Sequence, residues 1–147
     1  MRFDRMYPMV MTDKLEESRD FYAALGFQAV FYNGWYLHLR HGAEGGPEIG
    51  FLKPEHESQP PPFRPAFRGE GLAFGFEVAD VEAAYAEAKA QGWAIALELR
   101  QEPWGQKYFA VTDPNGIAID VIQPVEPDAA WMAAQPDMTR PAECVFV

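Results

Sequence analysis

Between residues 72 and 124 the spacing of hydrophobic and polar positions changes twice. Leu72, Phe74, Phe76 and Val78 alternate with Ala73, Gly75 and Glu77, the period of two expected of a strand with one apolar face. Asp80 is placed to cap a helix, and from Val81 the stripe Val81, Ala84, Tyr85, Ala88 has helical spacing. Gly92 is the residue expected just past that helix. Residues 93–99, 107–112 and 117–123 read as three further strands. The last two are joined by Asp113-Pro114-Asn115-Gly116, four residues that all favour turns. The order is strand, helix, three strands, and such a module cannot cover both its faces alone.

The first part of the chain has the same order. Residues 7–12 read as a strand, with Pro8 restricting it to an early or edge position. Thr12 or Asp13 is the expected cap of a helix running to about Leu25, with Leu15, Ser18, Tyr22 and Leu25 on one side and Gly26 as its stop. Residues 27–32 and 35–40 form a predicted hairpin about Asn33-Gly34, and 48–52 a short strand. A shift of 66 residues brings Leu15 onto Val81, Ala24 onto Ala90, Gly26 onto Gly92 and Phe27 onto Trp93, an internal repeat. The expected organisation is a first module over 1–53, a stiff linker over 54–70 with Pro60, Pro61, Pro62 and Pro65, a second module over 71–124, and an irregular tail over 125–147. Trp131 and the apolar end Val145-Phe146-Val147 predict that the tail docks rather than floats.

Composition narrows the function classes. The net charge of −10 argues against nucleic acid and anionic membrane as partners. A single cysteine, Cys144, excludes a disulfide framework within the chain and a paired-cysteine metal or redox site. The first residues lack the apolar core of a signal peptide, and no stretch has transmembrane length, so a cytoplasmic location is expected. No nucleophile elbow surrounds Ser18 or Ser58, and Gly45-Gly46 lacks the lysine and helix of a phosphate loop.

Ser18, Phe21-Tyr22 and Leu25-Gly26-Phe27, then Phe76-Glu77-Val78 with Asp80-Val81, Pro103-Trp104-Gly105 and Asp113-Pro114-Asn115-Gly116, occur in an order that resembles the vicinal oxygen chelate superfamily. That superfamily includes glyoxalase I, extradiol dioxygenases and bleomycin-resistance proteins. The resemblance covers roughly residues 7–123. It implies an α+β fold in which two βαβββ modules form one curved mixed sheet around a cup, helices outside, within a single domain. Strand parity then turns Tyr7, Met9, Met11, Ala73, Gly75, Glu77, Tyr108, Ala110, Ala118, Asp120 and Ile122 toward the cup.

Enzymes of the superfamily hold a divalent metal at four cup-facing positions, which fall here near Tyr7, Gly50, Ala73 and Asp120. Only Asp120 among these is a good ligand, and a facial triad or catalytic zinc needs at least three. The resemblance is therefore to the metal-free, bleomycin-resistance branch, and no cofactor is expected. The expected function is sequestration of a flat, partly apolar or cationic small molecule, antibiotic-like, by a homodimer without catalytic residues. Its expected lining is Tyr7, Met9, Met11, Tyr36, His38, Glu48, Trp104, Tyr108, Asp120 and Ile122, where methionine adapts its shape and aromatic rings offer flat faces. Trp104 matches a position where resistance proteins stack on ligand. Glu48, Glu77 and Asp120 would favour a cationic or hydrogen-bond-donating ligand, and Trp35 can line the groove or fill the core. The alternative is a metal-dependent lyase, isomerase or dioxygenase using Glu48, His38 and Asp120.

Overall fold

The computed structural model describes residues 1–135, and its order of elements is strand, helix, three strands, twice over. The fold is α+β, with two four-stranded mixed sheets. The chain divides into two compact units. One comprises Met1–Phe74 with Thr112–Ile119, the other Gly75–Val111 with the chain from Asp120.

In the first unit, β1 (Met9–Met11), α1 (Leu15–Ala24), β2 (Phe27–Tyr32), β3 (Tyr36–His41) and β4 (Glu48–Leu52) build a sheet in the order β1-β4-β3-β2. β1 runs parallel to β4 with Met9 opposite Gly50, and β3 runs antiparallel to β4 with His38 opposite Gly50. A register shift between Ala29 and Phe31 interrupts the β2–β3 hairpin. The apolar side chains of one face, Val10, Leu37, Leu39, Ile49 and Phe51, are buried beneath α1, whose Tyr22 ring packs against Phe51 and Phe27. Full burial of a side chain such as Phe51 or Leu37 contributes about 2 kcal/mol each.

Strand β1 is shorter than the predicted 7–12. Helix α1 begins later than its predicted cap, because Thr12 Oγ1 accepts from the Lys14 amide (3.0 Å) and donates to Asn115 (2.7 Å) rather than capping. Helix α1 also carries the residues that meet the 113–116 turn. Tyr22 donates to Asp113 Oδ2 at 3.0 Å, and Asn115 Nδ2 donates to Ser18 Oγ at 2.9 Å. Asp113 accepts in addition from the Asn115 and Ile117 amides, both at 2.8 Å. Burial and the charge of Asp113 push the Tyr22 hydroxyl far above its ordinary value.

The linker is not purely extended. It contains a 3-10 turn, Pro61–Phe63, and the Phe67 amide donates to Met11 O at 2.8 Å. Trp35, left open between groove and core, does neither. It is 36% exposed and lies flat on His56, ring centres 3.9 Å apart and planes 9° from parallel.

The second sheet is built from β5 (Ala73–Glu77), β6 (Ile95–Glu102), β7 (Gln106–Thr112) and β8 (Ala118–Pro124) in the order β5-β8-β7-β6, with α2 (Val81–Ala90) between β5 and β6 in the chain. Asp80 caps α2 as expected, accepting from the Ala83 amide at 2.9 Å, and Gly92 follows the helix with φ +71°. Val81 and Ala88 of α2 are buried, as are Phe109 and Val111 of β7 and Val121 of β8. The tail, expected to be irregular, includes a short helix α3 (Ala129–Ala133), whose cap Asp128 accepts from the Trp131 amide. Cys144 and Val145-Phe146-Val147 lie outside the described residues.

Candidate functional site

The face of the first sheet turned away from α1 carries Tyr7, Met9 and Met11 from the first strand and the residues leading to it. Tyr36, His38 and Arg40 come from β3, and Glu48 and Gly50 from β4. The parity is the expected one: Val10, Leu37, Leu39, Ile49 and Phe51 point the other way and are buried, while Tyr7 and Met9 are 37% and 45% exposed.

Glu48 is the hub of this face. His38 Nε2 lies 2.8 Å from its Oε2, Arg40 Nε donates to its Oε1 at 2.9 Å, and Arg5 donates to it from 3.1 Å. Its side chain is only 3% exposed. The His38 and Arg40 hydrogen bonds, then the Arg5 charge, outweigh burial and hold Glu48 at about 2. Glu48 is thus a carboxylate, which can only accept, so His38 must donate through Nε2. Nδ1 lies 2.6 Å from the Tyr36 hydroxyl, which donates to it in the neutral imidazole. The Tyr7 ring meets His38 edge-on at 4.7 Å. Burial, then the neighbouring Tyr7 phenol and Glu48, push the Tyr36 hydroxyl up to about 12.

Gly50 lies beneath this network. A Cβ there would meet Tyr36 Oη at 3.0 Å and Met9 Cγ at 3.1 Å, so the space of a side chain at this position is filled by its neighbours. Beside β1 an apolar groove of about 260 Å³ is lined by Met9, Met11, Phe63, Phe67 and Leu72.

These residues do not form a metal seat. Gly50 has no side chain to offer, and among the described residues no three His, Cys, Asp or Glu come together in a way that could hold an ion. His38 and Glu48 do meet, but as hydrogen-bonded partners, and an incoming cation would have to displace two guanidiniums. Nor does Glu48 favour a cationic ligand as the sequence suggested, because Arg5 and Arg40 more than neutralise it. Both arginines were missed as site residues. Arg5 lies in a segment without periodicity, and Arg40 ends a strand where a charged residue reads as solvated surface.

The remaining expected lining residues belong to the second unit. Asp120 and Ile122 lie on the face of β8 opposite the buried Ile119 and Val121, and the guanidinium of the cross-strand Arg100 lies over the Tyr108 ring at 5.8 Å from its centre. Asp120 is half-buried, its carboxylate has no hydrogen bond or ion pair among the described residues, and burial raises its pKa. Trp104, in the turn between β6 and β7, is 41% exposed and donates from its indole nitrogen to Gln106 at 2.8 Å.

A model of the glyoxalase/bleomycin resistance protein/dioxygenase superfamily matches residues 6–121. Among solved structures, a bleomycin resistance determinant encoded on the transposon Tn5 shares 21% identity over 83% of this chain and 98% of its own, with a TM-score of 0.58. A bleomycin-binding protein complexed with bleomycin shares 23% over 82% and 98%, TM-score 0.54. A lactoylglutathione lyase from Agrobacterium tumefaciens shares 18% over 82% and 92%, TM-score 0.64. At these identities the similarity is one of fold. Comparison with curated proteins finds no match.

Proposed function

Because the chain belongs to the glyoxalase/bleomycin resistance protein/dioxygenase superfamily, we propose that it binds and sequesters a flat, partly apolar small molecule without the help of a metal. The observation that carries this reading is Gly50, a position where the superfamily's enzymes place a ligand and where Tyr36 and Met9 occupy the space instead. Met9 and Met11 supply an adaptable apolar surface, and Tyr7 and Tyr36 supply flat faces. The bleomycin-bound neighbour supports the same class of function. Trp104, Tyr108, Asp120 and Ile122 are proposed ligand contacts within the second unit, and a homodimer in the cytoplasm is the proposed working form. No helix among the described residues is long and apolar enough to cross a membrane.

Asp120 favours a second reading, a metal-dependent enzyme of the same superfamily. A half-buried carboxylate without a partner among the described residues is a feature of functional sites as well as of strained ones.

Metal titration with manganese, iron, nickel and zinc, together with a panel of planar aromatic ligands followed by tryptophan fluorescence, separates the two. Sequestration requires saturable binding of a planar ligand that is weakened by Tyr36→Ala or Trp104→Ala. Tight stoichiometric metal binding that disappears in Asp120→Asn would replace it with the enzyme.

A further inference from the structure

The charge on the first sheet's free face runs against that of the whole chain. The chain carries −10, yet the hub sets two guanidiniums against one carboxylate, leaving at least one positive charge. Four acidic residues of the same unit lie elsewhere. Asp13, Glu16, Glu17 and Asp20 line a groove at α1, and α1 covers the opposite face of the sheet. Those four carboxylates, with Lys53 beside them, thus lie on the helix side of the sheet and the positive excess of the hub on its open side.

The arginines also have donors to spare. Arg40 reaches Glu48 through Nε, and Arg5 through one terminal nitrogen, while each guanidinium carries five N–H groups. Arg5 is 57% exposed and Arg40 23%. The apolar groove begins at β1, two strand spacings across the sheet from the β3 strand that carries Arg40. Met9, which lines the groove, lies over Gly50 on β4, and Gly50 is opposite His38 on β3. Two strand spacings are about 10 Å, roughly the span of two fused aromatic rings and one substituent.

From this we propose that the site takes an organic anion: a flat apolar body against Met9, Met11 and Phe67, with a carboxylate received by the free N–H groups of Arg5 and Arg40. Guanidinium forks match a carboxylate in geometry as well as charge, and a second acceptor satisfies donors that Glu48 leaves unused. Glu48 then has a positioning role, holding both forks at the sheet surface. This inference rests on the small-molecule reading above, and specifies the charge of the molecule.

Two probes of matched shape and opposite charge test it: naphthoate and naphthylmethylammonium, titrated into the full chain by calorimetry at low salt. The expected result is saturable binding of naphthoate at least about tenfold tighter than that of the ammonium. Arg5→Gln and Arg40→Gln should each weaken naphthoate about tenfold, the size of one charge-assisted hydrogen bond, and leave the ammonium unchanged. Arg5 lies in the exposed leading segment, so its variant carries the test even if Arg40→Gln fails to fold. Tighter binding of the ammonium would overturn the anion inference while leaving a small-molecule site intact. Naphthoate binding that ignores both substitutions would overturn it too. Failure of both probes to bind at millimolar concentration would remove both the inference and the reading beneath it.

Discussion

Gly50 and Glu48 lie two residues apart on one strand and are constrained in opposite ways. Gly50 is constrained by what stands over it. The Tyr36 hydroxyl that a Cβ would touch is pinned to His38 at 2.6 Å and cannot swing aside freely. Gly50→Ala is therefore expected to cost about 1–2 kcal/mol, measurable as a lower urea midpoint. Glu48 is constrained by what it neutralises. Its pKa falls from 4.5 in the unfolded chain to about 2 in the folded one, so at pH values between them the unfolded chain binds the extra proton. Stability from Glu48 is complete above pH 4.5 and is lost as pH falls toward about 2. Urea midpoints across that window should drop steeply in the parent. In Glu48→Gln they should start lower and lack this portion of the pH dependence. Asp120 has the reverse sign, since its raised pKa means that ionisation opposes folding. Asp120→Asn should raise the thermal midpoint at neutral pH and lose that gain as the pH falls and the parent's carboxyl is protonated. Alternation, with the internal repeat and the family resemblance, made Tyr7, Met9 and Met11 legible as one face, and Tyr36, His38 and Glu48 as candidates to join it. It carried no information on the partners of Glu48, which sit 8 to 43 residues away in sequence.

At the level of elements, the turn Asp113-Pro114-Asn115-Gly116 does more than reverse the chain. Asp113 accepts four hydrogen bonds, from Tyr22, the Asn115 amide, Asn115 Nδ2 and the Ile117 amide. Asn115 reaches Thr12 and Ser18, and Lys14 Nζ donates to Pro114 O at 2.7 Å. The residues that carried the family resemblance, Ser18, Tyr22 and the turn itself, are thus a structural clamp. Asp113→Ala orphans several buried donors at once and is expected to cost about 3 kcal/mol or more, against about 1–2 kcal/mol for Tyr22→Phe, as read by chemical denaturation. The turn and the helix were each legible from local chemistry. Their meeting was not, because a hydrogen bond spanning 91 residues leaves no trace in a local period. A second long-range bond, from Thr12 to Asn115, explains the misplaced start of α1, where local capping rules favoured Thr12 but Asn115 had claimed it.

For the whole molecule, the repeated order of elements was legible because two periods, of two and of helical spacing, recur in the same sequence. The grouping of residues was less so: Thr112–Ile119 clusters with the first unit, following the clamp rather than the boundary drawn at the linker. The outer strand β2 presents Val30, Phe31 and Tyr32 at 45%, 52% and 42% exposure, an apolar edge that a solitary chain would have to leave in water. Sedimentation is expected to show a dimer, and Phe31→Glu to shift it toward monomer. The flat stack of Trp35 on His56 bears on how such experiments can be followed. An indole resting on a neighbouring ring emits differently from one facing water, so the chain contains an optical gauge of whether its proline-rich segment is seated. That segment also supplies Phe63 and Phe67 to the groove, and a molecule that displaces it would announce itself in the emission spectrum without any label.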